Sequence, residues 1–398
     1  MKRTHAVRVV ASCLFLAGLA CSLPGPGTPP VTDVIPLPET EGPPASEVPA
    51  VTEPPPVTDA PAVEPLVVTQ VADQFHLYAL DGALTGTWPA AGIGWVREGT
   101  AQVVGDAVYY VDSGGQSLGG VVRRVSAAGV EELGFTAAEA LTELTFVVSP
   151  DESRIAWSHS AWDATGNTSK LWISDLSGTG QTLVVQSTPD DGIDDYYVLE
   201  PVTWTATGNL VYAWQISGIG GYILYFGYST LGLYSPSTGS IVELVGFDVS
   251  PGAPCWNSLS PDAAFVIGSC ILESGVPGMR ERDLATGVEN IFPLWPEDQG
   301  QDGAGVYSHS GARVAYSIAR GNMDDEAGHI IVASHLGSDT TLVASVAGGT
   351  FDRIFWVDED RLVTGYWSGE TSAVDVIRLS DLARSLVGEG RLVGLLWP

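Results

Sequence analysis

The sequence predicts an all-β protein, a β-propeller of four-stranded blades, and two observations carry that expectation. From about residue 70 onward Val, Ile, Leu, Tyr and Trp come in runs of four to seven, broken by Gly, Ser, Asp and Pro. AAEALTEL at 137–144 is the one short stretch with a helical period; the rest alternates or runs as strands do. The second observation is repetition. Turn-plus-strand elements recur as GDAVYYVD (105–112), SPDESRIAWS (149–158), TATGNLVYAW (205–214), SPDAAFVIGS (260–269), SHSGARVAYS (308–317) and VDEDRLVTGYW (357–367). Each is followed by a second signature, as in KLWISDLSGTG (170–180) or GMRERDLATG (278–287), and equivalent turns lie about 45 to 56 residues apart. A helix-free repeat of that size is a blade, because one small twisted sheet cannot bury both faces until neighbours flank it.

Ahead of the repeats, the chain opens MKRTHAVR and continues with an apolar run, Val9 to Leu19, that ends at Ala20-Cys21. A basic start, a short apolar region and a small-residue processing site make a secretion signal, too short to span a bilayer. The segment resembles a bacterial lipoprotein signal, in which the cysteine after the cleavage point is acylated. Cys21 is the expected lipidation site, since processing at Cys13 would leave only Val9 to Ser12 as an apolar region after Arg8. The expected location is therefore the extracytoplasmic face of a bacterial membrane, held by a lipid anchor.

Residues 22–65 hold fourteen of the 26 prolines and no Lys, Arg or aromatic residue. Such a segment cannot bury enough apolar surface to offset its ordering entropy, and proline keeps it extended. The expected division is a signal peptide over 1–21, a Pro-rich stalk over 22–70 and a propeller over 71–398.

Charge narrows the partners. The formal net charge is -30, and loss of Lys2, Arg3 and Arg8 with the signal makes it -33. Nucleic acid and anionic lipid both need a basic footprint, so neither is expected. Of the remaining cysteines, Cys255 and Cys270 flank a turn centred between Asp262 and Ala263, and a regular hairpin would set them opposite each other. An exported protein can oxidise them; the expectation is a cross-strand disulfide, with two buried thiols as the other reading.

The blade turns also resemble those of the TolB-like propellers, whose repeats carry Ser-Pro-Asp-Gly, then a Leu-Ala-Phe/Tyr strand, then an Asp-Leu-x-x-Gly hairpin. Ser149-Pro150-Asp151 with Ile155-Ala156-Trp157, Asp175-Leu176 with Gly178, Ser260-Pro261-Asp262, and Asp283-Leu284 to Gly287 match that pattern. The resemblance covers about residues 75–398 and implies the fold more than any function. It also raises a role as an envelope assembly component. Within each turn Pro fixes φ, Asp or Ser bonds back to nearby amides, and Gly accepts positive φ.

A ring must close on itself. FHLYALDGALTGTW (75–88) reads as the outer strands of an incomplete blade, and RLVGLLWP at the C-terminus as a spare strand. Six units with a shared closure is the preferred count, with seven blades built from both partial ends as the alternative.

No HExxH, Walker loop or CxxC is present; GQSLG (115–119) has the letters of GxSxG but lies between strands rather than at a strand-to-helix turn, and GYSTLG (227–232) puts its second glycine one position late for a nucleophile elbow. What remains is the placement of loops. In a four-stranded blade, connections between the second and third strands share one end of the disc with those leading into the next blade. On that rule 158–170, 187–197, 217–230, 293–303, 319–328 and 366–370 lie at one end. Those connections carry Asp190, Asp191, Asp194 and Asp195, hard oxygen ligands of the kind Ca²⁺ takes, with Asp324, Asp325 and Glu326 on another loop. Beside them Tyr196, Tyr197, Tyr222, Tyr225, Phe226, Tyr228, Trp295 and Trp367 supply flat amphipathic surfaces suited to binding. The expected function is a binding module that presents this end to an extracellular protein, peptide or glycan. The alternative from a different class is an exported glycan hydrolase or lyase using carboxylates at the same end.

Overall fold

The structure, a computed structural model, describes residues 63–94, 96, 99–163, 166–187, 197–216, 227–246, 255–271, 277–293, 301–320, 327–368 and 371–397. The chain divides into two units, Met1–Asp59 and Ala60–Pro398, and the described residues lie in the second. They form strands throughout, with a single 3-10 turn at His335–Gly337. The segment 137–144 is not helical. It is the end of one strand, a turn in which Leu141 takes a φ of 71°, and the start of the next.

Three strands open the fold: β1 (Leu66–Val71), β2 (Gln74–Tyr78) and β3 (Leu84–Pro89). Six antiparallel blades follow in chain order. Blade 1 is β4 (Ala101–Val104), β5 (Ala107–Asp112), β6 (Gly120–Ser126) and β7 (Gly129–Ala138). Blade 2 is β8 (Thr142–Val148), β9 (Arg154–Asp163), β10 (Gly166–Asp175) and β11 (Thr182–Ser187). Blade 3 is β12 (Tyr197–Trp204), β13 (Leu210–Ile216), β14 (Tyr228–Ser235) and β15 (Ser240–Val245). Blade 4 is β16 (Cys255–Leu259), β17 (Phe265–Ile271), β18 (Pro277–Asp283) and β19 (Glu289–Ile291), joined to blade 3 by a bridge between Tyr228 and Trp256. Blade 5 is β20 (Gln301–Tyr307), β21 (Arg313–Arg320), β22 (Ala327–Ser334) and β23 (Thr341–Ala347). Blade 6 is β24 (Gly349–Trp356), β25 (Arg361–Ser368), β26 (Thr371–Arg378) and β27 (Arg384–Glu389).

The C-terminal strand β28 (Arg391–Leu396) then pairs with β1, and the order β28-β1-β2-β3 makes a seventh four-stranded blade. The preferred count of six is corrected to seven. Blade 6 is complete without RLVGLL, and the missing partner, LVVTQV at β1, lies mostly in the stretch expected to be stalk. The propeller therefore begins at Leu66, ahead of the expected boundary at 71.

The core sits in the seams between blades. Seven apolar clusters fill them, one per seam. Tyr109, Phe146 and Trp157 pack between blades 1 and 2, and Val211, Tyr228 and Trp256 between blades 3 and 4. Val67 and Leu392 meet Val363 and Val374 between blades 6 and 7, and Val68, Phe75 and Val393 meet Val108 and Tyr110 between blades 7 and 1. Each fully buried side chain of this size contributes about 1.5–3 kcal/mol. The inner strands leave one edge unpaired towards the axis, and neighbouring side chains satisfy it. Gln102 accepts from the Val148 N–H at 2.8 Å and donates to its carbonyl at 3.3 Å. Ser258 Oγ donates to the Gly305 carbonyl at 2.8 Å, and Arg353 donates to the Val393 carbonyl at 3.4 Å.

The expected Cys255–Cys270 facing pair does not form. The turn is where the sequence placed it, with the Ser260 N–H donating to the Phe265 carbonyl at 2.9 Å, and Leu259 pairs with Val266 in that register. A bulge between Trp256 and Ser258 then shifts the strand by one residue, so Cys255 lies opposite Ser269 and Cys270 lies opposite Gly278. A one-residue slip exchanges the faces of a sheet. Similar irregularities interrupt the first strands of blade 3 at Pro201/Thr203, blade 5 at Gly303/Val306 and blade 6 at Phe351/Arg353.

Candidate functional site at the end of the long connections

The two ends of the propeller are built differently. At one end lie the turns between first and second strands, and these close on themselves. Ser149 Oγ donates to Asp151 at 2.6 Å, and Ser153 adds bonds to the same carboxylate, which holds Asp151 down at about 2. Ser260 Oγ donates to Asp262 at 2.6 Å and accepts from the Phe265 N–H at 2.9 Å.

Locks between blades reinforce this end. Tyr109 Oη donates to Glu152 at 2.7 Å and accepts from Arg124 Nε at 3.1 Å, joining blades 1 and 2. Between blades 4 and 5, Glu281 is wholly buried and accepts from Tyr307 Oη at 2.7 Å, His335 Nδ1 at 2.9 Å and the Leu336 N–H at 3.2 Å. Burial, reinforced by that carboxylate, drives the Tyr307 hydroxyl far above its ordinary range. Glu359 accepts from the Ser310 N–H at 2.9 Å across blades 5 and 6. The chain also enters the propeller at this end, where Glu64 pairs with Arg361 at 2.9 Å and Leu66 lies opposite Leu396.

At the other end each blade's second strand turns back and the outermost strand crosses to the next blade. Two connections expected to be long loops are mostly strand. Within 158–170, β9 runs to Asp163 and β10 starts at Gly166; within 366–370, β25 runs to Ser368 and β26 starts at Thr371. Asp190, Asp191, Asp194, Asp195, Asp324, Asp325, Glu326, Tyr196, Tyr222, Tyr225, Phe226 and Trp295 lie outside the described residues, as does Cys21. Three of the expected ligand residues are described. Tyr197 opens β12 at this end, half-buried, and Asn167 donates its side-chain amide to the Tyr197 carbonyl from blade 2. Trp367, half-buried, is the next-to-last residue of β25. Tyr228 is 2 % exposed and packs in the seam between blades 3 and 4. Its role is core rather than contact, because its strand continues across to Trp256.

The end also carries polar groups that pattern reading missed. Thr145 shares a hydrogen bond of 2.7 Å with Ser158, and Ser160 one of 2.7 Å with Ser169, in a seam where apolar residues are the norm. Glu200 is 1 % exposed and accepts from the Gln215 side-chain amide at 2.9 and 3.0 Å, with the amide nitrogen turned to face it. Asp302, second residue of β20, is 2 % exposed, and loss of water pushes its carboxyl up to about 7. Burial also raises Asp352, against the pull of Arg391 and Arg353. These acids sit on inner strands, Asp352 within an irregular step and Glu200 and Asp302 just before one, so the outer-loop rule could not find them. Among the described residues no cluster of three His, Cys, Asp or Glu side chains is placed to hold a metal ion.

Neither a protein-family model nor a curated protein sequence matches the chain. Among solved structures it is similar to an oligogalacturonate lyase in complex with manganese, at 12% identity and a TM-score of 0.51, over 76% of this chain and 82% of that one. It is also similar to a puromycin-hydrolyzing peptidase of Mycobacterium tuberculosis, at 12% identity and a TM-score of 0.51, over 82% of this chain and 53% of the peptidase. TolB from Acinetobacter baumannii matches at 12% identity and a TM-score of 0.42, over 83% of this chain and 80% of that one. The likeness is one of fold. The chain spans about half the length of the peptidase, and the lyase and the peptidase act on unlike substrates. The four-stranded blades and Ser-Pro-Asp turns implied by the TolB-like resemblance are those observed.

Proposed function

We propose that the protein is a lipid-anchored, extracytoplasmic binding module whose end of long connections takes an extracellular protein, peptide or glycan. The observation that carries this reading is the contrast between the two ends. The short turns spend their polar groups on one another and on the next blade, and Glu64, just ahead of the first strand, pairs with Arg361 beside them. The opposite end carries Tyr197 and Trp367 at strand termini, next to the connections that hold Tyr196, Tyr222, Tyr225, Trp295 and the Asp190–Asp195 acids. In this reading Cys21 supplies the anchor and residues 22–65 the reach. Ca²⁺ is the cofactor that the Asp190, Asp191, Asp194 and Asp195 connection would take. Tyr225→Ala and Trp367→Ala should abolish capture of the ligand without moving the melting temperature; undiminished capture would refute the proposal. A calcium titration followed by thermal unfolding tests the metal, since a ligand held only by the folded state raises its melting temperature.

A second reading, an exported glycan hydrolase or lyase, draws on Asp302. A carboxyl that titrates near neutrality is what a general acid requires, and one solved neighbour is an oligogalacturonate lyase. Loss of glycan cleavage in Asp302→Asn, with binding retained, would favour it over the first.

A further inference from the structure

We infer that the outermost strand of blade 3, β15, joins edge to edge with the same strand of a second copy of this chain, an inference that stands apart from the binding reading above. Exposed apolar residues are ordinary when they occur singly. Ile241 is 49% exposed and Val242 53%, and among the described residues no other two large apolar side chains exposed to that degree adjoin in sequence. Ser240 to Glu243 are all exposed. Successive residues of a strand point to opposite faces, so the first half of β15 stands clear on both sides. Among the described residues it pairs with β14 alone. Its outer edge is therefore a row of unpaired backbone groups, the template on which another strand adds.

The remaining outermost strands are guarded. Glu132 on β7 pairs with Arg123 at 3.1 Å, and Glu289 on β19 with Arg280 at 2.7 Å. Arg384 donates to the Ser345 carbonyl of β23 at 2.7 Å, the Gly82 turn of blade 7 lies against the Leu386 and Val387 carbonyls of β27, and β3 ends in Pro89. β11 keeps Val184 and Val185 packed into the seam with blade 3. Among the described residues blade 3 has no such device. Between Glu200 and Glu243 the sequence holds no Asp, Glu, Lys, Arg or His. Where the turns of blade 4 place Asp262 and Asp283, those of blade 3 place Thr207 and Ser235, bonded to Thr205 at 2.9 Å and Ser237 at 3.1 Å. Charge selects the occupant. A basic partner is drawn to the carboxylates of a chain with net charge -30, not to a neutral blade. Two copies repel each other over their acidic surfaces and meet where the charge is lowest, and a two-fold contact uses the same patch on both. Antiparallel pairing of β15 with itself sets Ile241 and Val242 of each copy in the joint.

The test is sedimentation equilibrium of the full chain. A dimer should appear whose share rises with concentration up to about 500 µM, the range of a small interface. Its share should rise again with added salt, which screens the repulsion between two acidic copies. Val242→Lys puts on this edge the charge that guards natural edges; it should leave a monomer with an unchanged melting temperature. Val242→Thr, which keeps the β-branch, should weaken the dimer severalfold. Leu183→Lys, the same change on β11, should dimerise as the natural chain does. A natural chain that stays monomeric at every concentration overturns the inference, whether its edge is empty or filled by another protein's strand. A dimer that Val242→Lys leaves intact, or that Leu183→Lys dissociates to the same degree, overturns it as well.

Discussion

Glu281 is a carboxylate with no exposure to water, and it is stable there because three donors reach it from blade 5. Removing one donor leaves the charge under-compensated, so Tyr307→Phe should lower stability by about 1.5–3 kcal/mol in urea unfolding; a change below a few tenths would show that the lock carries no load. His159 works in the opposite sense. Burial holds its imidazole below the ordinary histidine range, even though its ring bonds to the Thr136 carbonyl at 3.0 Å. The folded state then binds fewer protons than the unfolded one, and stability falls as pH drops below about 6.5, the unfolded value. His159→Gln should flatten that part of the stability-versus-pH curve, and an unchanged slope would contradict it. Neither role was legible in the sequence. Glu281 reads as one exposed acid among many, and only its partners, 26 and 54 residues away, make it a buried lock.

At the scale of elements, the local chemistry was readable and the register was not. Ser149-Pro150-Asp151 and Ser260-Pro261-Asp262 form the turns their residues dictate, because a turn's bonds close within about five positions. A bulge has no such signature. The extra residue near Asn257 is set by the contacts of Asn257 and Ser258 with Gly305 in the next blade, at 3.4 and 2.8 Å. Those contacts are 48 and 47 residues away, beyond any hairpin rule. The consequence can be measured: in the unfolded, unreduced propeller both Cys255 and Cys270 should alkylate. Failure of both to label would mean that they are bonded to each other and that the bulge is misplaced. The short helical period at 137–144 is overridden for a related reason. Its residues favour a helix in isolation, but Leu144 and Phe146 are claimed by the seam with blade 1, and tertiary burial outweighs a weak propensity.

For the whole molecule, the repeat length announced the architecture, since six spaced signatures leave little choice of fold. The count was harder to read because the seventh blade is assembled from both termini, and β1 adjoins a proline-rich stretch that resembles no strand. Closure matters to everything built on it: it joins the seams of blades 6, 7 and 1 and places the long connections together at one end. It is tested most directly by replacing Leu66 and Leu396, which lie opposite each other, with cysteines in a Cys255→Ser, Cys270→Ser background. A closed seven-bladed ring predicts that the two form a disulfide under mild oxidation and that the bonded protein unfolds at a higher denaturant concentration, because the bond closes a very long loop. A chain that keeps its folded spectrum while the two thiols stay free, or that loses it when they are joined, would show that the termini do not meet in one blade.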